Sequence, residues 1–302
     1  MNNRYKISRR ILIFWTLFVG VGALLGGVCM LVDPSGKLMG MDALLPYFKV
    51  LPFSDILFTN LIFSGVMLLI VNGLTNFISA GFLFAKKKLG IVLGMVFGVT
   101  LMAWICIQFV ILPTNFMSTA FFIIGLLQFI TGAICLIGYK QSQFSFDELK
   151  YNNIGTDKTK LVVYFSRQGY TKKLAYQIAD NEGADILELQ TPEKTKGNLG
   201  FWWCGRYGMH KWGMPLNELK VDPTKYDFVI ICSPTWVFGV SAPVREFCKM
   251  YSGKLKNVSF NILHFMNCKF DSIKEEVNDL LKIECKEFNS YSCHYGNIKK
   301  IQ

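Results

Sequence analysis

Four stretches of this chain, residues 11–32, 56–85, 90–112 and 119–139, contain no Asp, Glu, Lys or Arg at all. Each is close to or longer than the roughly 20 apolar residues that a helix needs to cross the hydrocarbon core of a bilayer. Inside lipid the backbone must satisfy its own hydrogen bonds, so runs of this kind fold as helices. The amino-terminal part, residues 1–140, therefore reads as a bundle of four transmembrane helices. The second run is long enough to tilt, or to begin outside the bilayer. The first exceeds the apolar core of a secretory leader and is closed by no Ala-x-Ala-like site, so it reads as an anchor.

Basic residues fix the expected orientation. Arg4, Lys6, Arg9 and Arg10 precede the first run, Lys86, Lys87 and Lys88 separate the second from the third, and Lys140 follows the fourth. The other two loops hold Lys37 and Lys49 beside Asp33, Asp42 and Asp55. The positive-inside rule then predicts a multi-pass cell-membrane protein with both termini in the cytoplasm. Asn72, Thr75, Asn76 and Ser79 form a stripe at helical spacing, with Gln108 and Gln128 in the later runs. That stripe has two readings: a pocket for a quinone or other small ligand, or hydrogen bonds between helices along small-residue seams. No His precedes His210, which excludes the usual axial pair of a membrane haem.

Past residue 140 the composition changes. Residues 141–159 are polar and read as a linker, and residues 160–302 alternate between strand and helix patterns. Strands are expected at 161–165, 186–190, 228–232, 258–263 and 286–290, with helices at 172–181, 244–251 and 271–283. Such alternation predicts a doubly wound parallel sheet of five strands, with ligands bound outside the carboxyl ends of the strands.

Two of those strand ends carry the chemistry. After the first come Ser166, Arg167, Gln168, Gly169, Tyr170 and Thr171, opening into a helix. A turn of this kind suits a phosphate: the helix offers free N–H groups and a positive dipole end, and Gly169 allows close backbone approach. After the third come Ser233, Pro234, Thr235, Trp236, Val237, Phe238 and Gly239, then Ala242 and Pro243. Trp236 or Phe238 offers a flat apolar face to a planar heterocycle.

Ser166, Gly169 and Thr171, together with the Ser233-Pro234-Thr235-Trp236 run, Gly239 and Ala242-Pro243, resemble the two flavin loops of the flavodoxin family. Gln168 stands where that family usually has a hydroxyl. The resemblance implies a flavodoxin-like domain that binds FMN noncovalently, with residues 166–171 around the phosphate and 233–239 along the ring. It spans about residues 160–288 and says nothing of the amino-terminal bundle. The family's third loop is Gly- and Thr-bearing, whereas this chain has His264-Phe265-Met266-Asn267-Cys268. His264 follows a predicted strand and has two readings: reach to the flavin edge, or a loop histidine whose hydrogen bonds are satisfied locally. Only about twelve residues follow the last predicted strand, too few for the usual closing helix, which predicts a bare apolar patch on the sheet, to be covered by the membrane, the bundle or a second copy.

The segment 191–221 interleaves Phe201, Trp202, Trp203, Tyr207 and Trp212 with Lys194, Lys196, Arg206, Lys211 and Lys220. Gly200-Phe201, Gly208 and Pro215-Leu216 are similar to a segment of an NAD(P)H-dependent oxidoreductase branch of the flavodoxin superfamily. Three roles stay open for it: a lid over the ligand, a patch on anionic membrane lipid, or a cover for the sheet. The nine cysteines form no CxxC pair and the three histidines no ligand spacing, so no metal is expected. The chain carries a net charge of +11 but no nucleic-acid-binding motif, and no nucleic-acid partner is expected. The reading is thus a membrane-anchored FMN protein transferring electrons, as a carrier or an NAD(P)H oxidoreductase. NAD(P)H, a quinone or a protein would be its redox partner, and a homo-oligomer is compatible. The alternative is a flavin-free sensor or assembly module on the same fold.

Overall fold

A computed structural model describes residues 3–268 and 270–301. The chain divides into two compact units, residues 1–143 and 144–302.

The first unit is helical. Among the described residues, four helices are long and apolar enough to cross a membrane: α1 (Asn3–Val32), α2 (Ile62–Phe84), α3 (Lys88–Ile111) and α4 (Phe116–Ser142). The second begins six residues later than its apolar run, because residues 54–61 fold as a single helical turn and bends instead of joining the span. Between Leu69 and Leu74 the helix α2 widens into a π-helix. Helices α3 and α4 come close at Gly98 and Gly125, where a Cβ on either glycine would meet the other's carbonyl oxygen at 2.8 and 2.9 Å. Small residues at this crossing let the two backbones approach closely. The polar stripe makes helix-to-helix contacts: Gln128 Nε2 donates to Asn76 Oδ1 (3.0 Å) and to the Gly94 carbonyl (2.9 Å), and Ser79 Oγ donates to the Gly90 carbonyl (3.0 Å).

The second unit is a sheet wrapped by helices. Its elements are β1 (Asp157–Tyr164), α5 (Tyr170–Glu182), β2 (Ala184–Glu188), α6 (Gly197–Met209), β3 (Phe228–Trp236), β4 (Gly239–Val240), α7 (Ala242–Met250), β5 (Val258–His264), α8 (Asp271–Leu281), β6 (Glu287–His294) and β7 (Asn297–Ile301). The sheet order is β2-β1-β3-β5-β6-β7, with β1, β2, β3, β5 and β6 parallel. Counting the parallel strands alone, this is the order 2-1-3-4-5, the flavodoxin-like doubly wound arrangement whose switch point lies between the first and third strands. The near-continuous apolar runs in β1 and β3 are explained by burial on both faces. Leu161, Val163, Val229 and Ile231 pack on one side with Val244, Phe247, Ile273 and Val277. Val162, Tyr164, Ile230 and Cys232 pack on the other with Ala175 and Ala179 of α5.

Among the described residues, the expected five strands become seven. The two additions are antiparallel: β4 folds back on the end of β3, and β7 pairs with β6. In place of a closing helix, the carboxyl end makes a two-residue hairpin at Tyr295 and Gly296, with φ of 55° and 94°. Positive φ at both central residues is the signature of a tight turn that matches strand twist. The uncovered face is not the apolar patch expected. It is an open groove of about 400 Å³ in which Ser259, Asn261, Asn289, Lys160, Glu182, Glu287 and Lys300 are mixed with Ile178, Phe228 and Ile230. Strand β5 alternates Val258, Phe260 and Ile262 toward the helices with Ser259 and Asn261 on the other side, so its own share of the face without a helix is polar. Helix α6 was not among the predicted helices.

The polar segment 144–156 lies along α5. Phe146 packs edge-on to Tyr176 (5.0 Å), and Asn153 N–H bonds to Asp180 Oδ1 (2.9 Å).

Candidate functional site

The loop after β1 is shaped by one glycine. Gly169 caps α5 with φ of +90°, where a side chain would be strained, and a Cβ there would meet the Phe144 ring at 3.0 Å. Ser166 Oγ accepts a hydrogen bond from the Gly169 N–H (3.0 Å), which tightens the turn. The N–H groups of the first helical turn, at Tyr170, Thr171 and Lys172, have no partner within the helix and point out of its end. Thr171 is buried and Gln168 exposed. Tyr170 packs edge-on to Phe144 at 4.7 Å, and burial pushes its hydroxyl up to about 12.

The loop after β3 is a tight ribbon. Thr235 pairs with Val240 and Trp236 with Gly239, which forces Val237 and Phe238 into a two-residue turn with φ of 47° and 60°. Positive φ at a β-branched valine is uncommon and marks a place where surrounding structure holds the backbone against its preference. Gly208 of α6 leaves room for it: a Cβ there would meet Val237 Cγ2 at 3.0 Å. The Trp236 ring stands perpendicular to Phe165 at 5.5 Å, and Phe238 is 68% exposed at the tip.

Between these loops lies a cavity of about 360 Å³ at the carboxyl ends of β1, β3 and β5. Of the residues singled out from sequence, Ser166, Arg167, Gln168, Tyr170, Thr171, Pro234, Thr235, Trp236, Val237 and Phe238 line it. Gly169, Ser233 and Gly239 do not. Ser233 is fully buried, and its Oγ lies 2.9 Å from Ser241 Oγ and accepts from the Ser241 N–H, so it braces the ribbon from behind. A Cβ at Gly239 would lie 3.1 Å from Arg245 Nη2, so that glycine leaves space for the buried Arg245–Glu276 pair. Arg167 lines the cavity, but its guanidinium reaches the next segment: Nε donates to the Thr195 carbonyl (2.9 Å), Nη2 to Gly197 (3.3 Å), and the cation sits 5.2 Å from the Phe201 ring centre.

Phe201, Leu263, His264, Phe265, Met266, Phe270 and Cys293 complete the wall. The third loop therefore borders the site even though it lacks the Gly- and Thr-bearing pattern. The available signal was topological: β5 neighbours β3, so its carboxyl end must open on the same rim. His264 is 6% exposed, with Nε2 2.7 Å from Ser290 Oγ. Burial lowers the pKa of its imidazole, an effect the nearby Met266 main chain partly offsets. His264 Nδ1 and Thr235 Oγ1 are buried without a hydrogen-bond partner. Among the described residues no three His, Cys, Asp or Glu side chains converge as a metal would require.

No protein family matches this chain, and no curated protein matches it in sequence. Solved structures do match it. A flavoprotein from Lactobacillus acidophilus, determined in complex with FMN, is 17% identical over 44% of this chain and 93% of its own, with a TM-score of 0.38. Putative flavoproteins from Bacteroides eggerthii (20% identical, 44% and 88% covered, TM-score 0.40) and Bacteroides uniformis (19% identical, 44% and 89% covered, TM-score 0.39) also match. The strand order and the cavity at its switch point themselves define the class: a doubly wound α/β domain of flavodoxin-like topology, following a unit with four helices of membrane-spanning length.

Proposed function

We propose that the α/β domain holds FMN noncovalently in the cavity between the 166–171 and 234–238 loops, and that the protein is a membrane-anchored redox protein. The supporting observation is the pairing, across one cavity, of a thirteen-residue helix's amino terminus with an aromatic wall. The first suits a phosphate and the second a flat heterocycle. The α5 amides, Ser166 and Thr171 bind the phosphate. Arg167 acts at one remove by pinning the Thr195–Gly197 backbone at the cavity edge. Trp236, Phe238 and Phe201 flank the ring and keep water from it. Bound FMN supplies the redox chemistry, accepting electrons and passing them on, while the protein sets binding and orientation.

The four spans anchor the domain, and the basic loops favour a cytoplasmic location for it. A reduced nicotinamide, a quinone or a protein is then the partner, and the exposed aromatic and basic α6 region is available to such a partner or to lipid. Detergent-purified full-length protein is expected to be yellow and to release FMN on denaturation. Thr171→Val is expected to weaken FMN binding about tenfold, since hydrogen bonds to charged groups contribute about 1.5–3 kcal/mol. Colourless wild-type protein that fails to bind added FMN sinks this reading.

A further inference from the structure

We infer that the face of the α/β domain built from α6 and the tips of the 235–240 and 264–268 loops docks on an anionic lipid surface. It rests on the four apolar helices spanning a bilayer and is independent of FMN. The face is apolar by construction. Helix α6 turns Gly200, Cys204 and Gly208 inward and leaves Trp202 74% and Leu199 71% exposed. Phe201, Phe238, Phe265 and Met266, all exposed, meet around the mouth of one cavity, and Gly208 seats the Val237 tip against α6. Helix and loops thus form one surface, and a contiguous apolar patch of this kind marks an interaction site.

Its charge has one sign. Residues 194–212 hold Lys194, Lys196, Arg206 and Lys211, all exposed, and no acidic residue. Glu193, just before them, is taken up by the domain itself: its carboxylate accepts from Trp203 Nε1 (2.7 Å) and from the Tyr207 hydroxyl (3.4 Å). The 235–240 and 264–268 tips contain no Asp, Glu, Lys or Arg. Arg206 lies 5.7 Å from the rings of both Trp203 and Trp212. Tryptophans beside long cationic side chains suit the headgroup boundary, where ring and stem meet apolar chains and the charge meets phosphate. An anionic leaflet attracts such cations within a Debye length.

Where the chain enters the domain selects lipid over a soluble partner. The last apolar helix ends at Ser142, and Phe144 packs on Tyr170 at 4.7 Å, with Leu263 and Cys293 in the same cluster. Those three partners of Phe144 also line the cavity. The domain is therefore tethered at the rim that carries the exposed face, by a two-residue connection that reaches at most about 7 Å. With FMN bound as proposed, a redox partner dissolved in lipid would meet the cavity mouth without passing through bulk water.

The test uses the full chain reconstituted in vesicles of phosphatidylcholine, with and without phosphatidylglycerol, the lipids brominated near the top of their acyl chains to quench tryptophans in contact. Trp202 is read as the difference between wild type and Trp202→Phe, a replacement that its exposure accommodates. We expect Trp202 emission to fall about twofold with phosphatidylglycerol and by less without it. Combining Lys194→Glu, Lys196→Glu and Lys211→Glu should abolish the difference between the two lipids and leave the circular dichroism unchanged. A photoreactive benzophenone side chain in place of Trp202 should attach to lipid. Trp202 emission that bromine leaves unchanged, or a benzophenone that captures only a second copy of the chain, overturns the inference and leaves the flavin site standing. Equal quenching in the two lipids overturns the preference for anionic lipid. If Trp15 and Trp104, in α1 and α3, are not quenched either, anchoring and docking both fall.

Discussion

Both units of this chain bury polar atoms that have no partner, but in different settings. In the helical unit they belong to Asn72, 1% exposed, whose side-chain oxygen and nitrogen are both unpaired, to Gln128 Oε1 and to Arg9 Nε. Asn72 sits on the π-helical stretch 69–74, where the usual helical hydrogen-bond spacing is widened; such irregularities are frequent at functional sites. In the α/β unit the unpaired atoms belong to Thr235 and His264, two residues of the cavity wall, and are shielded from the cavity space. An orphan behind a cavity wall can be met by water or a ligand only once the wall rearranges. An orphan packed between helices is an unrelieved desolvation cost, unless water or another chain meets it. The same kind of atom therefore means different things, according to what surrounds it.

The largest expected effect bears on how the α/β unit frames its cavity. Arg245 is 1% exposed and bonds Glu276 through Nε (2.9 Å) and Nη2 (2.6 Å), behind the 235–240 ribbon. Arg245→Met leaves Glu276 without its counter-charge and should cost about 3–5 kcal/mol, seen as early loss of near-ultraviolet circular dichroism on heating. Unchanged melting would mean that the pair does not hold the ribbon. Next comes the direct contrast between orphans. Asn72→Leu removes an unsatisfied amide and should leave the helical unit as stable or about 1–3 kcal/mol more stable in detergent. Thr235→Val, which removes the shielded hydroxyl, should likewise not destabilise the ligand-free domain. A destabilising Asn72→Leu would show that its amide is satisfied by something the helices do not supply, and would put the two regions on the same footing.

The smallest effect concerns the segment 144–156. Lys172 Nζ bonds Glu148, which holds that carboxyl below the ordinary carboxylate range. A depressed carboxyl pKa contributes stability above the unfolded value, about 4.3, that is lost as pH falls through the folded one. Both groups are partly exposed, so the contribution is about 0.2–1 kcal/mol. Glu148→Gln should flatten the acid limb of the stability profile by no more than that. A larger change would mean that the segment is held mainly by this pair and not by the packing of Phe146 and Tyr151 on Tyr176.

Much was legible from residue order. Charge-free runs gave four long helices because length and hydropathy act locally. The unbroken apolar stretches at 161–165 and 228–232 marked strands buried on both faces, and Gly169 marked a turn that requires positive φ. Sequence also named the two loops that wall the cavity. It did not show that Ser233 and Gly239 support the ribbon from behind, because a serine facing a cavity and one facing Ser241 look alike in one dimension.

Other features were decided only by tertiary structure. The carboxyl-terminal hairpin depends on β6 supplying a partner edge, and an isolated pair of short strands has little stability of its own. Helix α6 was obscured because its aromatic residues lie mostly outside while Gly200, Cys204 and Gly208 face inward, the reverse of an ordinary amphipathic stripe. His264 belongs to the cavity through pairing across β3, β5 and β6, residues far apart in the chain. Local propensity sets which segments become helix or strand; only the closing of the sheet determines which side chains share a wall.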